Sequence, residues 1–305
     1  MLNSKTILIT GATGLIGKEL VRQCHEAGIA VHYVTTSRQK LKDEFKYKGF
    51  YWNPAKGEID IQAFEGVSAI INLAGASVSK RWTPAYKKEI WESRTQSIRL
   101  ISETLKNKEH TIEQFISASG ISVYPDSLTE MYLEDSSEVC ASFLGKVTEA
   151  WEAAADEFQD IGIPVAKVRT GIVLAANEGA LPKMVKPIRL GVGSPLGTGK
   201  QWQSWIHIED MAGIYLHILL NGIQGVFNGI APNPVRNHEL VAQIARVLKK
   251  KLWMPNVPGM VIKTMLGEMG QLALDGQQVS SKKIEQSGYD FKYPTLEGAL
   301  QQLLK

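Results

Sequence analysis

The chain has 305 residues, 44% of them hydrophobic and 21% charged, with a formal net charge of +3. That is enough apolar material for one large α/β domain or two unequal lobes, and it excludes a disordered polypeptide. The small net charge, with no basic run longer than Lys249-Lys250-Lys251, argues against nucleic-acid binding, and two cysteines, Cys24 and Cys140, without metal spacing or a bridge framework suit a reducing compartment.

The chain opens directly into an apolar strand, Lys5-Thr6-Ile7-Leu8-Ile9-Thr10, with no charged stretch and apolar segment of a secretory signal. No apolar run is long enough to span a membrane, so the expectation is a cytoplasmic protein. Helical spacing over Leu15–Ala27 places Leu15, Ile16, Leu20, Val21 and Cys24 on one face. Val31–Thr35 is a second strand, residues 38–46 are expected to form a short helix, and Val67–Leu73 is a third strand. Thr83 caps a long helix that starts at Pro84 and runs to about Leu105. Gln114–Ser119 and Val165–Thr170 are further buried strands, with a helix at 141–159 between them. Near-continuous apolar strands separated by helices predict an α/β fold, a Rossmann-type doubly wound parallel sheet. After Gly171, glycine, proline and tryptophan become frequent. A helix near 209–221, a strand near 225–231, a helix near 237–248 and short helices in the tail predict a smaller C-terminal lobe. The expected division is 1–170 and 171–305, the two interleaved.

Gly11-Ala12-Thr13-Gly14-Leu15-Ile16-Gly17 lies between the first strand and the first helix. In that context the spaced glycines predict a dinucleotide site formed by Gly11, Thr13, Gly14, Leu15, Ile16 and Gly17. Gly11 permits the tight turn, Gly14 lets the backbone approach a diphosphate, and Gly17 lets helix and strand pack closely. The helix N-terminus then offers N–H donors to the phosphates. The competing reading is a plain βα turn. NAD binders place a carboxylate at the end of the second strand to bond the ribose 2′-hydroxyl. Here none occurs between Ile29 and Lys42, and Ser37 with Arg38 suits a 2′-phosphate. NADP(H) is therefore favoured over NAD(H). Leu73, Ala74 and Gly75, ending the third strand, would pass close to the cofactor.

The GATGLIG loop, Asn72-Leu73-Ala74-Gly75, Phe115–Ser119 with Val123-Tyr124, and Trp205-Ile206-His207-Ile208-Glu209-Asp210-Met211 occur in that order. Together they resemble the extended short-chain dehydrogenase/reductases, the NAD-dependent epimerase/dehydratase superfamily. Arg81-Trp82 with Ser93-Arg94, Arg169-Thr170-Gly171, Gly197-Thr198-Gly199 and Pro234-Val235-Arg236-Asn237 look like one branch. It is the poorly characterised epimerase family proteins with a C-terminal domain of unknown function. The resemblance spans essentially the whole chain. It implies a Rossmann domain, NADP(H) binding and a substrate lobe built mainly from the C-terminal third.

The superfamily's usual chemistry uses a serine and a tyrosine four residues before a lysine, because a phenol beside a cation exchanges protons near neutral pH. No tyrosine in this chain has a lysine four positions later. Matching Glu152 to the acid that follows the lysine puts Leu144 and Thr148 in the pair's positions, and Leu144 exchanges no proton. The candidate replacements are Ser119 and Tyr124, against readings as a strand-end hydroxyl and a packed aromatic. Lys146 is a candidate for the cofactor ribose or an exposed helix lysine. Arg81 beside Trp82, and Arg236, are candidates for a substrate carboxylate or phosphate. His207 either approaches the cleft or bonds backbone. No metal is expected. The leading reading is an NADP(H)-dependent oxidoreductase or epimerase acting on a small carbonyl or hydroxyl compound, as a monomer or homodimer with no nucleic-acid or membrane partner. The alternative is a non-catalytic NADP(H)-binding redox sensor or partner-binding protein.

Overall fold

Apolar, β-branched runs alternate with amphipathic helices through the first half of the chain. In the computed structural model, which describes residues 5–106 and 108–305, they build one central sheet. Its parallel strands are β1 (Thr6–Thr10), β2 (Ala30–Thr35), β3 (Tyr47–Asn53), β4 (Val67–Asn72), β5 (Gln114–Gly120), β6 (Val165–Thr170) and β7 (Gly225–Gly229). Their spatial order is β7-β6-β5-β4-β1-β2-β3. Short antiparallel pieces, Asp43–Glu44 and Glu58–Ile59, flank β3. From β1 the chain winds outward to β3, returns to β4 beside β1, and winds the other way. Right-handed crossovers in opposite directions put helices on both faces, and a crevice opens where the direction reverses, between β1 and β4.

Helices α1 (Leu15–Glu26) and α5 (Ile208–Asn221) pack together, as do α2 (Pro84–Lys106) and α3 (Phe143–Asp156). Thr83 caps α2, its hydroxyl accepting from the Tyr86 N–H at 3.1 Å. Ile7, Leu8, Ile9, Ile70, Ile71, Phe115 and Ile116 are fully buried between the layers. Each such side chain contributes about 1.5–3 kcal/mol on removal from water. The Phe115 and Phe158 rings stack 3.7 Å apart.

One expectation needs correction. Residues 38–46 are not a helix: a single 3-10 turn at Arg38–Lys40 is followed by the strand Asp43–Glu44 and then by β3. Pairing with β2 and burial of Phe50 and Trp52 decide this segment, rather than helical periodicity. The two parts of the chain on either side of residue 170 interleave. β7 pairs with β6 and α5 covers the sheet, so residues beyond 171 complete the Rossmann unit. The smaller lobe has its own core of Leu181, Val185, Trp205, Leu240, Ile244 and Leu300, supplied by α4 (Leu181–Arg189), the short strand Trp205–His207, α6 (Asn237–Val247) and the C-terminal helix Leu296–Leu304. A third cluster, with Val123, Tyr124, Tyr132, Ile230 and Val279, joins the lobes.

Candidate functional site

The turn from β1 into α1 is fixed by close backbone approach. Gly11 has φ +71°, and a Cβ on it would lie 2.9 Å from the Leu73 carbonyl. A Cβ on Gly17 would lie 2.2 Å from the Gly11 carbonyl oxygen. The Gly14 N–H donates to the Gly11 carbonyl at 2.9 Å, and α1 begins at the next residue with no acid in its first turn. A positive helix end therefore meets the crevice without a side chain to neutralise it.

The neighbouring Leu73–Ala76 loop is held over the crevice by a buried hydroxyl. Thr10 Oγ1 donates to Asn72 Oδ1 at 2.7 Å and accepts from the N–H groups of Leu73 and Ala74, both at 3.1 Å. Ser93 Oγ accepts from the Ala76 N–H at 2.9 Å. Arg94 lies beneath this loop, donating to the carbonyls of Ala76 and Ile90; burial lowers its pKa to about 10.

A cleft of about 690 Å³ opens from this crevice along the ends of β1, β2 and β3. Gly11, Thr13, Thr35, Thr36, Ser37, Lys40, Trp52, Ala74 and Gly75 line it. Its β2 wall is hydroxyl-bearing and basic. Ser37 is in that wall, while exposed Arg38 stands beside it with its guanidinium 4.1 Å from the Tyr51 ring centroid. Its acids, Glu89 and Glu92, come from the opposite side, on α2. Sequence reasoning missed Lys40 and Trp52. Lys40 had a visible signal in the run of cations after Ser37, whereas Trp52 depends on β3.

Ser119 and Tyr124 are placed elsewhere. Ser119 Oγ donates to Glu152 at 2.5 Å, and Glu152 takes two hydrogen bonds from Arg169, at 2.8 and 2.9 Å. Arg169 also donates to the Tyr124 hydroxyl at 2.8 Å, which in turn donates to Asn228 at 2.9 Å. Tyr124 is fully buried, and neither it nor Ser119 lines the cleft along β1–β3 or the one between the lobes. The two hydroxyls are committed to a buried ionic network that ties β5, α3, β6 and β7 together. Burial pushes the Glu152 carboxyl up, but the hydrogen bonds and charge of Arg169, with Ser119 and Lys167, outweigh it and hold the group below its ordinary range.

Three further candidates are also held by partners within the protein. His207 caps α5: its Nδ1 accepts from the Glu209 N–H at 3.1 Å, and its Nε2 lies 3.0 Å from Gln302 Oε1. Burial lowers the pKa of this fully buried ring, and it lines neither the cleft along β1–β3 nor the one between the lobes. Arg236 lies over the Trp202 ring at 3.6 Å and donates to the carbonyls of Lys200 and Leu128. It braces a cleft wall rather than entering it. Trp82 donates to the Val78 carbonyl at 2.8 Å and packs edge-on against Phe143. Arg81 and Lys146 are exposed and line neither cleft. Among the described residues no group of His, Cys, Asp and Glu could hold a metal ion.

A smaller cleft, about 150 Å³, lies where the lobes meet. The first lobe contributes Ser122, Cys140, Ser142 and Leu144. Residues Gly171, Ile172, Trp202 and Ser204, and the tail segment with Asp275 and Gln277, complete it. Leu144 thus lines the wall at the position matched to the superfamily's tyrosine. Thr148, matched to its lysine, shares a hydrogen bond with Ser122 at 2.9 Å. Neither Ser122 nor Asp275 was singled out from the sequence. Asp275 carries no motif and reaches the cleft only through the fold.

The arrangement has counterparts in known proteins. Residues 7–228 match the model of the NAD-dependent epimerase/dehydratase family. The chain belongs to that family. Residues 257–303 match a domain of unknown function, DUF1731. The chain is 34% identical to an epimerase family protein of Staphylococcus aureus over 99% of both chains. It is 34% identical to the chloroplastic homologue of epimerase family protein SDR39U1 from Arabidopsis thaliana, over 98% of this chain and 87% of that one. Human epimerase family protein SDR39U1, crystallised with NADPH, superposes with a TM-score of 0.84 at 30% identity, covering 98% of each chain. Family membership accounts for the parallel sheet, the glycine turn and the cleft at the point where the strand order reverses. No described helix is long and apolar enough to cross a membrane.

Proposed function

We propose that this epimerase-family protein binds NADP(H) across the β1–β4 crevice and exchanges hydride with a small carbonyl or hydroxyl compound in the cleft between its lobes. The observation that carries the reading is the bare backbone turn at Gly11–Gly17, facing a cleft whose β2 wall presents Ser37 and Lys40 and no carboxylate. The crystallisation of human SDR39U1 with NADPH supports the same cofactor. The N–H groups of Thr13, Leu15 and Ile16 would hold the diphosphate, which Gly14 lets approach the backbone, and Ser37, Arg38 and Lys40 the 2′-phosphate. Leu73, Ala74 and Gly75 give the remainder a path close to backbone. The bound dinucleotide would supply or accept the hydride. The protein's own part is to orient the partner, exclude water and move one proton. Ser122, held by Thr148, offers a hydroxyl that can fix a substrate oxygen in the inter-lobe cleft.

One observation favours a second reading, a non-catalytic NADP(H) sensor: Leu144 lines the cleft where a phenol would serve. Absorbance at the reduced nicotinamide band, followed against a panel of aldehydes, ketones and keto acids, separates the two. The enzyme reading expects cofactor consumption with at least one class. Tight binding with no consumption across the panel, in both directions, would favour the sensor.

A further inference from the structure

We propose that Asp275, from the C-terminal segment to which no function is attached, is the proton-exchanging group of the inter-lobe cleft; this rests on the cofactor reading above. Two side chains lining that cleft can ionise, Cys140 and Asp275. The Cys140 thiol is engaged, donating to Ser142 Oγ at 3.2 Å. The Asp275 carboxyl has no hydrogen bond or ion pair among the described residues, although the backbone around it is pinned. The Asp275 N–H donates to the Gln271 carbonyl at 2.9 Å, and the Gly276 N–H donates to Asp126 Oδ1 at 2.7 Å. Gly276 also accepts from the Ser127 N–H at 3.2 Å, and the Gln277 carbonyl accepts from Ser204 Oγ at 2.7 Å. A Cβ on Gly276 would fall 2.3 Å from the Trp202 carbonyl oxygen. A fixed backbone carrying an uncommitted acid in a cleft wall is the geometry a general acid or base needs.

The surroundings suit the role. Burial and the neighbouring Asp126 push the Asp275 carboxyl up, against the opposing charge of Lys263. A carboxyl so placed holds its proton more tightly than an exposed one, which suits a group that takes up and returns a proton. In the oxidative direction Asp275 accepts the proton of the substrate hydroxyl as its O–H bond breaks. The carbon gives up hydride to NADP+, and the carbonyl forms. In the reductive direction the protonated acid returns that proton to the carbonyl oxygen. Ser122, on the first-lobe side of the same cleft, is placed to orient that oxygen, and Leu144 beside it adds apolar surface.

The test does not need the natural substrate. Oxidised nicotinamide is positively charged and the reduced ring is neutral. An ionised Asp275 in that cleft therefore favours NADP+ over NADPH. Calorimetric Kd values for both forms would be measured from pH 5 to 8 on wild type, Asp275→Asn and Asp126→Asn. Titration of the 2′-phosphate is common to both forms and cancels in their ratio. The ratio in wild type should shift towards NADP+ by about fivefold as pH rises, the size expected of unit charges several ångströms apart in a half-solvated cleft. It should stay flat in Asp275→Asn. In Asp126→Asn the midpoint should move to lower pH, which keeps the proposal testable should Asp275→Asn fail to fold. Equal pH dependence in wild type and Asp275→Asn, or a midpoint unmoved by Asp126→Asn, overturns the role of Asp275 and leaves the cofactor reading standing. Absence of binding by either form overturns that reading, and this proposal with it.

Discussion

Glu152 shows how a single carboxylate can be structural in a place where chemistry was expected. It is buried, takes both hydrogen bonds of the Arg169 fork, accepts from Ser119 and lies 3.9 Å from the Lys167 ammonium. Replacing it by glutamine leaves a buried guanidinium without its counter-charge, and Glu152→Gln should cost about 3 kcal/mol in urea unfolding. Ser119→Ala should cost only about 1 kcal/mol and leave NADPH affinity unchanged, because its hydroxyl serves the network and not a cleft. A large loss of cofactor affinity in Ser119→Ala would contradict that placement. The pH dependence follows from the same partners. A carboxyl held below its ordinary value of 4.5 stabilises the fold above that pH, and the contribution is lost as pH falls through the folded-state value. Wild type should therefore lose stability on acidification more steeply than Glu152→Gln. At the glycine turn, Gly17→Ala places a methyl against the Gly11 carbonyl. It should lower stability by about 2 kcal/mol or more and abolish cofactor binding, since that carbonyl cannot retreat without opening the turn.

At the scale of elements, β2 and its end carry the cofactor preference. Ser37, Arg38 and Lys40 follow the strand with no acid among them. Arg38→Ala combined with Lys40→Ala should weaken NADPH binding about tenfold, or 1.4 kcal/mol, and leave NADH unchanged. Equal losses for both dinucleotides would place those cations away from the 2′-phosphate. The elements nearest this end also show where sequence pattern fails. β1, β4, β5 and β6 were legible because each is an apolar, β-branched run buried on both faces. β3 was not, because Lys48 and Gly49 interrupt it. Gly49 is there because the Tyr33 ring lies across it, so that a Cβ would come within 2.4 Å of the ring. That requirement comes from strand pairing and cannot be read from the segment alone.

Across the whole molecule, the glycine turn and the loop after β4 were legible because local backbone geometry fixes both. The inter-lobe cleft was not, because it unites residues from Ser122 to Gln277 that share no spacing. The surroundings of Ser119 and Tyr124 were not legible for the complementary reason: their partners Glu152, Arg169 and Asn228 are distant in sequence. Interleaving also bears on stability. Leu300, fully buried in the C-terminal helix, packs in the core shared with α4 and α6. Leu300→Ala should cost about 3 kcal/mol and lower one cooperative melting transition. Two separated transitions would instead mean that the lobes fold independently. The central claim is that the β1–β4 crevice is a cradle for a dinucleotide bearing a 2′-phosphate. Isothermal titration of the wild-type protein with NADPH and NADH tests it most directly. The account predicts saturable one-to-one binding of NADPH, at least about tenfold tighter than NADH. Equal affinity for both would contradict the cofactor preference, and no heat from either would contradict the site itself.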